Sequence, residues 1–373
     1  MPVQSFGCVR SSVIAATVSL LCVTVARAQI PTGGHALSEA AADMPQLHHV
    51  GLNSKDPEAA IAWYMRIWPT AKRTTVAGYP ALQTDMLLLF NKVAGDPPGA
   101  YQVDLGRAEP QSAFWHIGAS VPAATKDSLE REGLKILPLY VSPLDLKQTV
   151  WRSGLAPYSG TKTATEIKAT TSAMPPRDGG FSYVIGPDGV LFELTTAQTA
   201  LPTFSHVHFL HERPICAENW YVEELGMALP PMLDSTGRAT SRKTVPGDCD
   251  IEYGQPSWPS LETVGTIRQP LGIVRYENGS MTWYPRQCVN GRCGRDRELA
   301  PTRGQALDHV AFSVHNFDEL YTKLRGDGVK VLYPPHEFGE TRAFMIEDPD
   351  GLAIEIIDGG GSVRKRTSPP SRN

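Results

Sequence analysis

The chain reads Leu307-Asp308-His309-Val310-Ala311 in its last quarter, and three earlier segments share this pattern of apolar residues around a histidine. Those segments are Leu47-His48-His49-Val50-Gly51, Phe114-Trp115-His116-Ile117-Gly118 and Phe204-Ser205-His206-Val207-His208. Apolar residues alternate with the histidine, which predicts half-buried strands whose other face lines something polar. A small residue beside the histidine on that face is expected to leave room for a ligand next to the imidazole.

Two later segments also match each other, and both end in a predicted strand that carries a glutamate. They are Gly186-Pro187-Asp188-Gly189-Val190-Leu191-Phe192-Glu193-Leu194 and Asp348-Pro349-Asp350-Gly351-Leu352-Ala353-Ile354-Glu355-Ile356. The order His, His, Glu therefore occurs twice, first as His49, His116 and Glu193, and then as His206, His309 and Glu355. Two imidazoles and one carboxylate form an open divalent-metal site. The repeat predicts one such site in each half of the chain.

Each histidine strand is followed by a helical segment and then by further β-like runs. The first helix is predicted from Asp56-Pro57-Glu58, which supplies a cap and a proline at the first helical position. The third-module helix is predicted to end at Gly226, and the fourth to run from Phe317 to Arg325. Four βαβββ modules result, each a strand, a helix and two or three further strands, at 46–92, 112–197, 203–285 and 305–358, and this repeat predicts an α+β fold.

The N-terminal segment has the properties of a secretory signal peptide. A weakly basic start is followed by an apolar stretch from Ser12 to Val25 and by Ala26-Arg27-Ala28, which has the form of a cleavage site. We therefore expect residues 1–28 to be removed and the protein to be periplasmic or secreted. Removal deletes Arg10 and Arg27 and no acid, which changes the net charge from −4 to −6. This acidic balance argues against a nucleic-acid partner, and no later segment is apolar enough to span a membrane.

Four cysteines remain after that cleavage, and an even number in an exported chain suggests disulfides. Cys288 and Cys293 flank the turn-forming pair Asn290-Gly291, which favours a small loop closed by a bridge. Cys216 would then pair with Cys249, although four cysteines allow three connectivities. A zinc site is the alternative, and it lacks the usual C-x2-C spacing.

With histidine on the first strand and glutamate on the last, the four modules resemble the vicinal-oxygen-chelate (VOC) superfamily, which contains glyoxalase I, bleomycin-resistance and extradiol-dioxygenase proteins. The resemblance covers about 46–358. It implies that modules pair into two VOC domains, 46–200 and 203–358, each with a curved mixed sheet around a metal cleft, followed by a disordered tail at 359–373. The implied metal ligands are His49, His116 and Glu193 in the first domain and His206, His309 and Glu355 in the second.

Relatives of the glyoxalase I kind often carry a fourth ligand on the last strand of the first module of a pair. Here those strands read Leu87-Leu88-Leu89-Phe90 and Met281-Thr282-Trp283-Tyr284, which lack a Glu or Gln at the matching place. The resemblance therefore implies three-ligand sites. Fe(II) is favoured for a 2-His-1-carboxylate set, with Mn(II), Zn(II) or Ni(II) as other possibilities.

His208 and His336 are the candidate acid/base residues beside the metal, His208 because it shares a strand face with His206. Main-type extradiol enzymes have a tyrosine ten positions before the metal glutamate, where this chain has Met345. The expected function is an Fe(II) dioxygenase acting on a small-molecule substrate with vicinal oxygens. Two alternatives are a glyoxalase-type lyase, isomerase or thiol transferase, and a non-catalytic binding protein. An oligomer is possible.

Overall fold

The computed structural model describes residues 44–98, 112–134, 136–137, 140–141, 149–150, 180–233, 239–240, 272–285 and 299–359. The signal peptide, the C-terminal tail and three of the four remaining cysteines lie outside these residues, so those expectations stay predictions. None of the helices in the described ranges is both long and apolar enough to cross a membrane.

The first sheet has eight strands and is built from the first and fourth modules, in the order β17-β18-β19-β16-β1-β4-β3-β2. Its strands are β1 (Gln46–Ser54), β2 (Lys72–Val76), β3 (Tyr79–Gln83), β4 (Leu87–Lys92), β16 (Leu307–Val314), β17 (Lys330–Phe338), β18 (Thr341–Glu347) and β19 (Ala353–Asp358). At the centre, β1 runs antiparallel to β16, whereas β4 and β19 run parallel to their neighbours β1 and β16. The sheet is therefore mixed.

The second sheet has seven strands and is built from the second and third modules, in the order β14-β15-β11-β5-β10-β9-β6. Its strands are β5 (Phe114–Val121), β6 (Ile136–Leu137), β9 (Gly180–Ile185), β10 (Leu191–Thr196), β11 (Thr203–His211), β14 (Gly272–Tyr276) and β15 (Gly279–Pro285). Two small antiparallel pairs lie outside the sheets, β7 (Tyr140–Val141) with β8 (Thr149–Val150) and β12 (Met232–Leu233) with β13 (Ala239–Thr240). The α+β class and the two mixed sheets predicted from the sequence are confirmed.

The pairing of the modules differs from the expectation. The first module was expected to pair with the second and the third with the fourth, within 46–200 and 203–358, but each sheet combines one module from each half. The physical reason is that all four histidine strands have the same alternating apolar face, so any two of them can pair. Sequence order alone therefore does not determine which pair forms.

Within the described ranges, four helices connect the strands: α1 (Pro57–Ile67), α2 (Ala123–Arg131), α3 (Pro214–Leu225) and α4 (Phe317–Gly326). The predicted start of α1 is confirmed, since Asp56 Oδ1 accepts a hydrogen bond from the Ala59 amide at 3.1 Å. Helix α3 ends at Gly226 as predicted, with a left-handed φ of 68°. The helices bury one face each against a continuous apolar core that includes residues of both sheets.

The turn that follows β18 and the turn that precedes β10 each make contacts between the two sheets. Asp350 Oδ2 lies 3.0 Å from His211 Nδ1 on β11, and Asp348 accepts a hydrogen bond of 3.0 Å from Tyr221 of α3. In the corresponding turn of the second module, Asp188 accepts a hydrogen bond of 3.1 Å from the amide of Lys55, which follows β1. Each repeated Pro-Asp-Gly turn thus contacts a module of the other sheet.

Candidate metal centres

The first centre is formed by His49 on β1, His309 on β16 and Glu355 on β19. The two Nε2 atoms lie 3.1 Å apart. Glu355 Oε2 lies 3.3 Å from His49 Nε2 and 3.8 Å from His309 Nε2. His49 and Glu355 are buried. Three donor atoms from three adjacent strands therefore converge on one point.

This grouping corrects the expected ligand sets. His49 was expected beside His116 and Glu193, and His309 beside His206, but the structure exchanges these partners because the modules pair across the halves. All six predicted residues nevertheless lie in one of the two clusters. The sequence pattern identified these residues, and the pairing of the modules determined which of them lie together.

The register of the strands explains how the two histidines approach each other. Gly51 on β1 lies opposite His309, and a β-carbon at Gly51 would overlap the His309 ring. The space that was expected beside His49 for a ligand is therefore taken by the imidazole of the partner strand. On the outer strands, Glu355 lies opposite Ala311, and the corresponding place opposite Gly51 is occupied by Leu89. Leu89 thus lies at the place where the relatives described above have a fourth ligand.

The donor atoms of the first centre fit a divalent cation. Burial lowers the pKa of His49 to about 3, against the raising effect of the Glu355 carboxylate, so its ring is neutral at pH 7. Burial would raise the pKa of Glu355, but the nearby imidazoles of His49 and His309 lower it. Glu355 Oε2 is buried and accepts no well-formed hydrogen bond from the described residues. A cation would satisfy this oxygen and both imidazoles together.

Asp308 holds His309 in place, and the sequence analysis did not single it out. His309 Nδ1 lies 2.6 Å from Asp308 Oδ1. The carboxylate also accepts hydrogen bonds from the Gly304 amide at 2.6 Å and the Asn53 amide group at 2.8 Å, and it pairs with Arg303. Burial would raise its pKa, but His309 and Arg303 lower it. An acid within an apolar strand, directly before the histidine, was the available signal. Because Asp308 contacts Nδ1 of His309, the Nε2 atom of the same ring faces the centre.

A cavity of about 440 Å³ opens beside the first centre, and all three candidate ligands line it. His336 also lines it, as expected, and its Nδ1 lies 2.9 Å from the carbonyl oxygen of Pro334. Met345 and Tyr333 are paired across β17 and β18 and both face the cavity, with the Arg303 guanidinium 5.3 Å from the Tyr333 ring centre. Tyr333 and Arg303 are cavity residues that sequence reasoning missed.

The second centre is formed by His116 on β5, Glu193 on β10, and both His206 and His208 on β11. His116 Nε2 lies 3.2 Å from Glu193 Oε2, 3.3 Å from His206 Nε2 and 3.0 Å from His208 Nδ1. Burial would raise the pKa of Glu193, but His206 and His116 lower it to about 2. His208 therefore belongs to this cluster and not to the cluster of His309 and Glu355, beside which it was expected to act.

The second centre repeats the glycine contact of the first. Gly118 lies opposite His206, and a β-carbon at Gly118 would be 2.6 Å from His206 Cε1. Glu193 lies opposite Gly118, as Glu355 lies opposite Ala311. His206 Nδ1 lies 2.6 Å from the hydroxyl of Ser205, the residue before it, as His309 Nδ1 lies 2.6 Å from Asp308 Oδ1. The two centres thus share a plan and differ in the groups around it.

Comparison with known proteins gives a family and a fold. The model of the Glyoxalase/Bleomycin resistance protein/Dioxygenase superfamily matches residues 165–356, which are 192 of the 373 residues. No curated protein matches the sequence. Glyoxalase I from Zea mays matches the structure with a TM-score of 0.50 at 14% identity, over 86% of this chain and 94% of that one.

Two further solved structures are less similar. A putative dioxygenase from Bacillus subtilis has a TM-score of 0.49 at 11% identity, over 86% of this chain and 87% of its own. The fosfomycin resistance protein FosX from Listeria monocytogenes, complexed with Mn(II) and sulfate, has a TM-score of 0.25 at 14% identity, over 41% of this chain and 90% of its own. At such identities the likeness to glyoxalase I concerns the fold alone.

Proposed function

Because the chain belongs to the glyoxalase/bleomycin resistance protein/dioxygenase superfamily, we propose that it is a metal-dependent enzyme that acts on a small molecule with vicinal oxygens at the first centre. The observation that carries this proposal is the convergence of His49, His309 and Glu355 at the wall of the cavity. A centre with three protein ligands leaves coordination positions for a substrate.

Fe(II) is the metal we favour, and a dioxygenase is the leading reaction class. The three side chains form a 2-His-1-carboxylate set, and the counterpart of Glu355 across the sheet is the apolar Leu89. When bound, Fe(II) would supply Lewis acidity and redox chemistry with O2 for a substrate held through two neighbouring oxygens. Mn(II), Zn(II) and Ni(II) are the alternative ions for the same donors.

The residues around the ligands orient His309, offer a proton acceptor and line the cavity. Asp308 fixes the ring orientation of His309, so that Nε2 faces the centre. If His336 Nδ1 donates its proton to the Pro334 carbonyl, the other ring nitrogen of His336 carries a lone pair and can accept a proton from a substrate in the cavity. Leu89 and Met345 supply apolar wall next to these polar groups. Binding, orientation and proton transfer are thus assigned to separate side chains.

Oxygen consumption and metal content test this proposal. Protein purified without oxygen would be analysed for metal by mass spectrometry and then tested for O2 uptake with a panel of catechols and 2-hydroxy acids. We expect iron, with uptake that requires substrate and is lost in His309→Ala. The matched control is Asp327→Asn, because Asp327 is an exposed residue at the C-terminal end of α4. Substrate-dependent O2 uptake that persists in His309→Ala would refute the assignment of the first centre.

The second candidate is a lyase, isomerase or thiol transferase of the glyoxalase kind, since a three-ligand centre also accepts Zn(II), Ni(II) or Mn(II). Turnover that depends on a thiol co-substrate and proceeds without O2 would favour it. Tight ligand binding that survives the loss of Glu355 would instead favour a non-catalytic binding protein.

We also propose that the protein is exported after removal of residues 1–28, because that segment has the composition of a signal peptide. Cell fractionation and the N-terminal sequence of the purified protein test this. A mature chain that begins at Gln29 in the periplasmic or secreted fraction supports export, and an uncleaved cytoplasmic chain contradicts it.

A further inference from the structure

The two centres have the same arrangement of strands, and they differ in the residue at one position of it. In the first sheet, the histidine of the glutamate-bearing module, His309, lies opposite Gly51. In the second sheet the corresponding histidine, His116, lies opposite His208. His208 therefore replaces the glycine of the first centre with a side chain that has a ring nitrogen.

The His208 ring points at the other donor atoms. Its Nδ1 lies 3.0 Å from His116 Nε2, and its ring stacks on that of His206 with the ring centres 4.0 Å apart. One donor atom from each of the four side chains lies within 4.8 Å of all the others. The fourth place across the sheet, opposite His208, is held by Thr282.

The distances between the donors suit a tetrahedral ion. A metal with bonds of roughly 2.0–2.1 Å to nitrogen and oxygen places its ligands roughly 3.3–3.4 Å apart at the corners of a tetrahedron. His116 Nε2 lies 3.0 Å from His208 Nδ1, 3.2 Å from Glu193 Oε2 and 3.3 Å from His206 Nε2. These three distances at His116 are close to the tetrahedral value, as expected for ligands of one small cation.

The number of contacts at His116 also indicates a cation. Three donor atoms, from His206, His208 and Glu193, lie within 3.3 Å of its single Nε2 atom. One ring nitrogen has either one proton or one lone pair, so it can make a good hydrogen bond to only one of the three. A cation bound between the four side chains would contact a donor atom of each of them.

We infer that His208 is a fourth protein ligand, and that the second centre is a four-coordinate site of the zinc class whose role is to stabilise the fold. The filled coordination sphere distinguishes it from the open first centre. The inference goes beyond the proposed function, because it concerns a different cluster and requires no reaction there.

Cobalt(II) binding tests the inference, since tetrahedral Co(II) absorbs visible light far more strongly than five- or six-coordinate Co(II). Metal-free full-length Glu355→Ala protein, which lacks the first centre, would be titrated with Co(II). We expect one equivalent to bind with an intense tetrahedral spectrum. Adding His208→Ala should lower that absorption severalfold and weaken binding on the order of 100-fold, whereas adding His336→Ala should change neither.

Three results would overturn the inference: no Co(II) binding by Glu355→Ala, a weak non-tetrahedral spectrum, or an unchanged spectrum and affinity after His208→Ala. If His208→Ala does not fold, His208→Cys in the same Glu355→Ala background tests whether the side chain at position 208 binds the metal. A ligating position then gives a new thiolate-to-cobalt absorption band in the near ultraviolet, and Co(II) binding without that band excludes His208 as a ligand.

The structural role has its own measurement. Zn(II) should raise the thermal midpoint of Glu355→Ala, and this rise should be largely lost when His208→Ala is added. An equal rise in both proteins would contradict a structural role for a four-ligand site. Because neither experiment measures turnover, failure here leaves the proposal for the first centre standing, and loss of O2 uptake leaves this inference standing.

Discussion

Gly51 and His309 lie opposite each other on β1 and β16, and the His309 imidazole occupies the place that a side chain at position 51 would need. In the second sheet a glycine also faces a histidine, but there the glycine, Gly118, lies on the strand next to the glutamate strand and the histidine is His206. Each centre therefore depends on a glycine that contributes no atom to the metal.

Replacing Gly51 with alanine should displace His309 and damage the first centre. The added β-carbon meets the ring within a packed sheet, and overpacking of this kind costs about 1–3 kcal/mol of stability. We expect metal affinity at the first centre to fall roughly 10–100-fold, measured by competition with a chelator. Gly118→Ala should act on the second centre instead. Gly95→Ala, where nothing lies within 4 Å, is the control, and equal effects of Gly51→Ala and Gly95→Ala would contradict the explanation.

The Asp308→Asn variant tests the orientation of His309. Its carboxylate faces four donors, from His309, Arg303, Gly304 and Asn53, and an amide would turn an NH2 group toward some of them. We expect metal affinity at the first centre to fall roughly 10–100-fold and stability to fall by about 1–3 kcal/mol. Chelator competition and urea unfolding measure the two effects. The second centre should keep its metal, and loss of metal from both centres would indicate general unfolding instead.

Separate expression of the two halves, residues 29–202 and 203–373, tests the exchange of modules between the sheets. Each half contains ligands of both centres and completes neither, because β1 pairs with β16 and β5 pairs with β11. We expect each half alone to bind metal at least tenfold more weakly than the full chain, and a mixture of both halves to regain it. A single half that folds and binds one equivalent tightly would support the sequential pairing instead.

The buried turn residue Asp348 should make stability depend on pH. Burial raises its pKa, and this effect outweighs the lowering by His211 and by the Leu352 amide. As the pH rises from the unfolded-state pKa toward the raised pKa, the unfolded chain releases its proton first, so the folded protein loses stability. The free energy of unfolding of the wild type, relative to Asp348→Asn, should therefore decrease as the pH rises above the ordinary aspartate pKa of about 4. Urea unfolding measures it, and a pH-independent difference would contradict the assignment.

The sequence predicted the modules and the candidate ligands because both follow from local patterns. The alternation around His309 and the Asp-Pro-Asp-Gly turn before Glu355 are set within a few residues. The pairing of the modules is not local, and four nearly equivalent strands left it open. The position of His208 depended on the same pairing, since its partner His116 is 92 residues away in sequence.

Asp308 was missed for a different reason. Neighbouring residues on a strand point to opposite faces, so a residue directly before His309 is not expected to reach its ring. The structure shows the 2.6 Å contact to Nδ1, and Asp308 is buried between Asn53 and Arg303. Only the pairing of β1 with β16 brings Asn53 to this place.

The exchange of modules also sets an order of events during protein synthesis. His116 and His206 are separated by 90 positions, whereas His49 and His309 are separated by 260. The ribosome thus completes the ligands of the second centre before it begins the fourth module. Strand β1 ends at Ser54, and its neighbour β16 ends at Val314, 260 residues later (314 − 54), which corresponds to roughly 13–52 s of translation. Throughout that interval the nascent chain carries a hydrophobic strand whose final neighbour does not yet exist, and it needs protection from other chains.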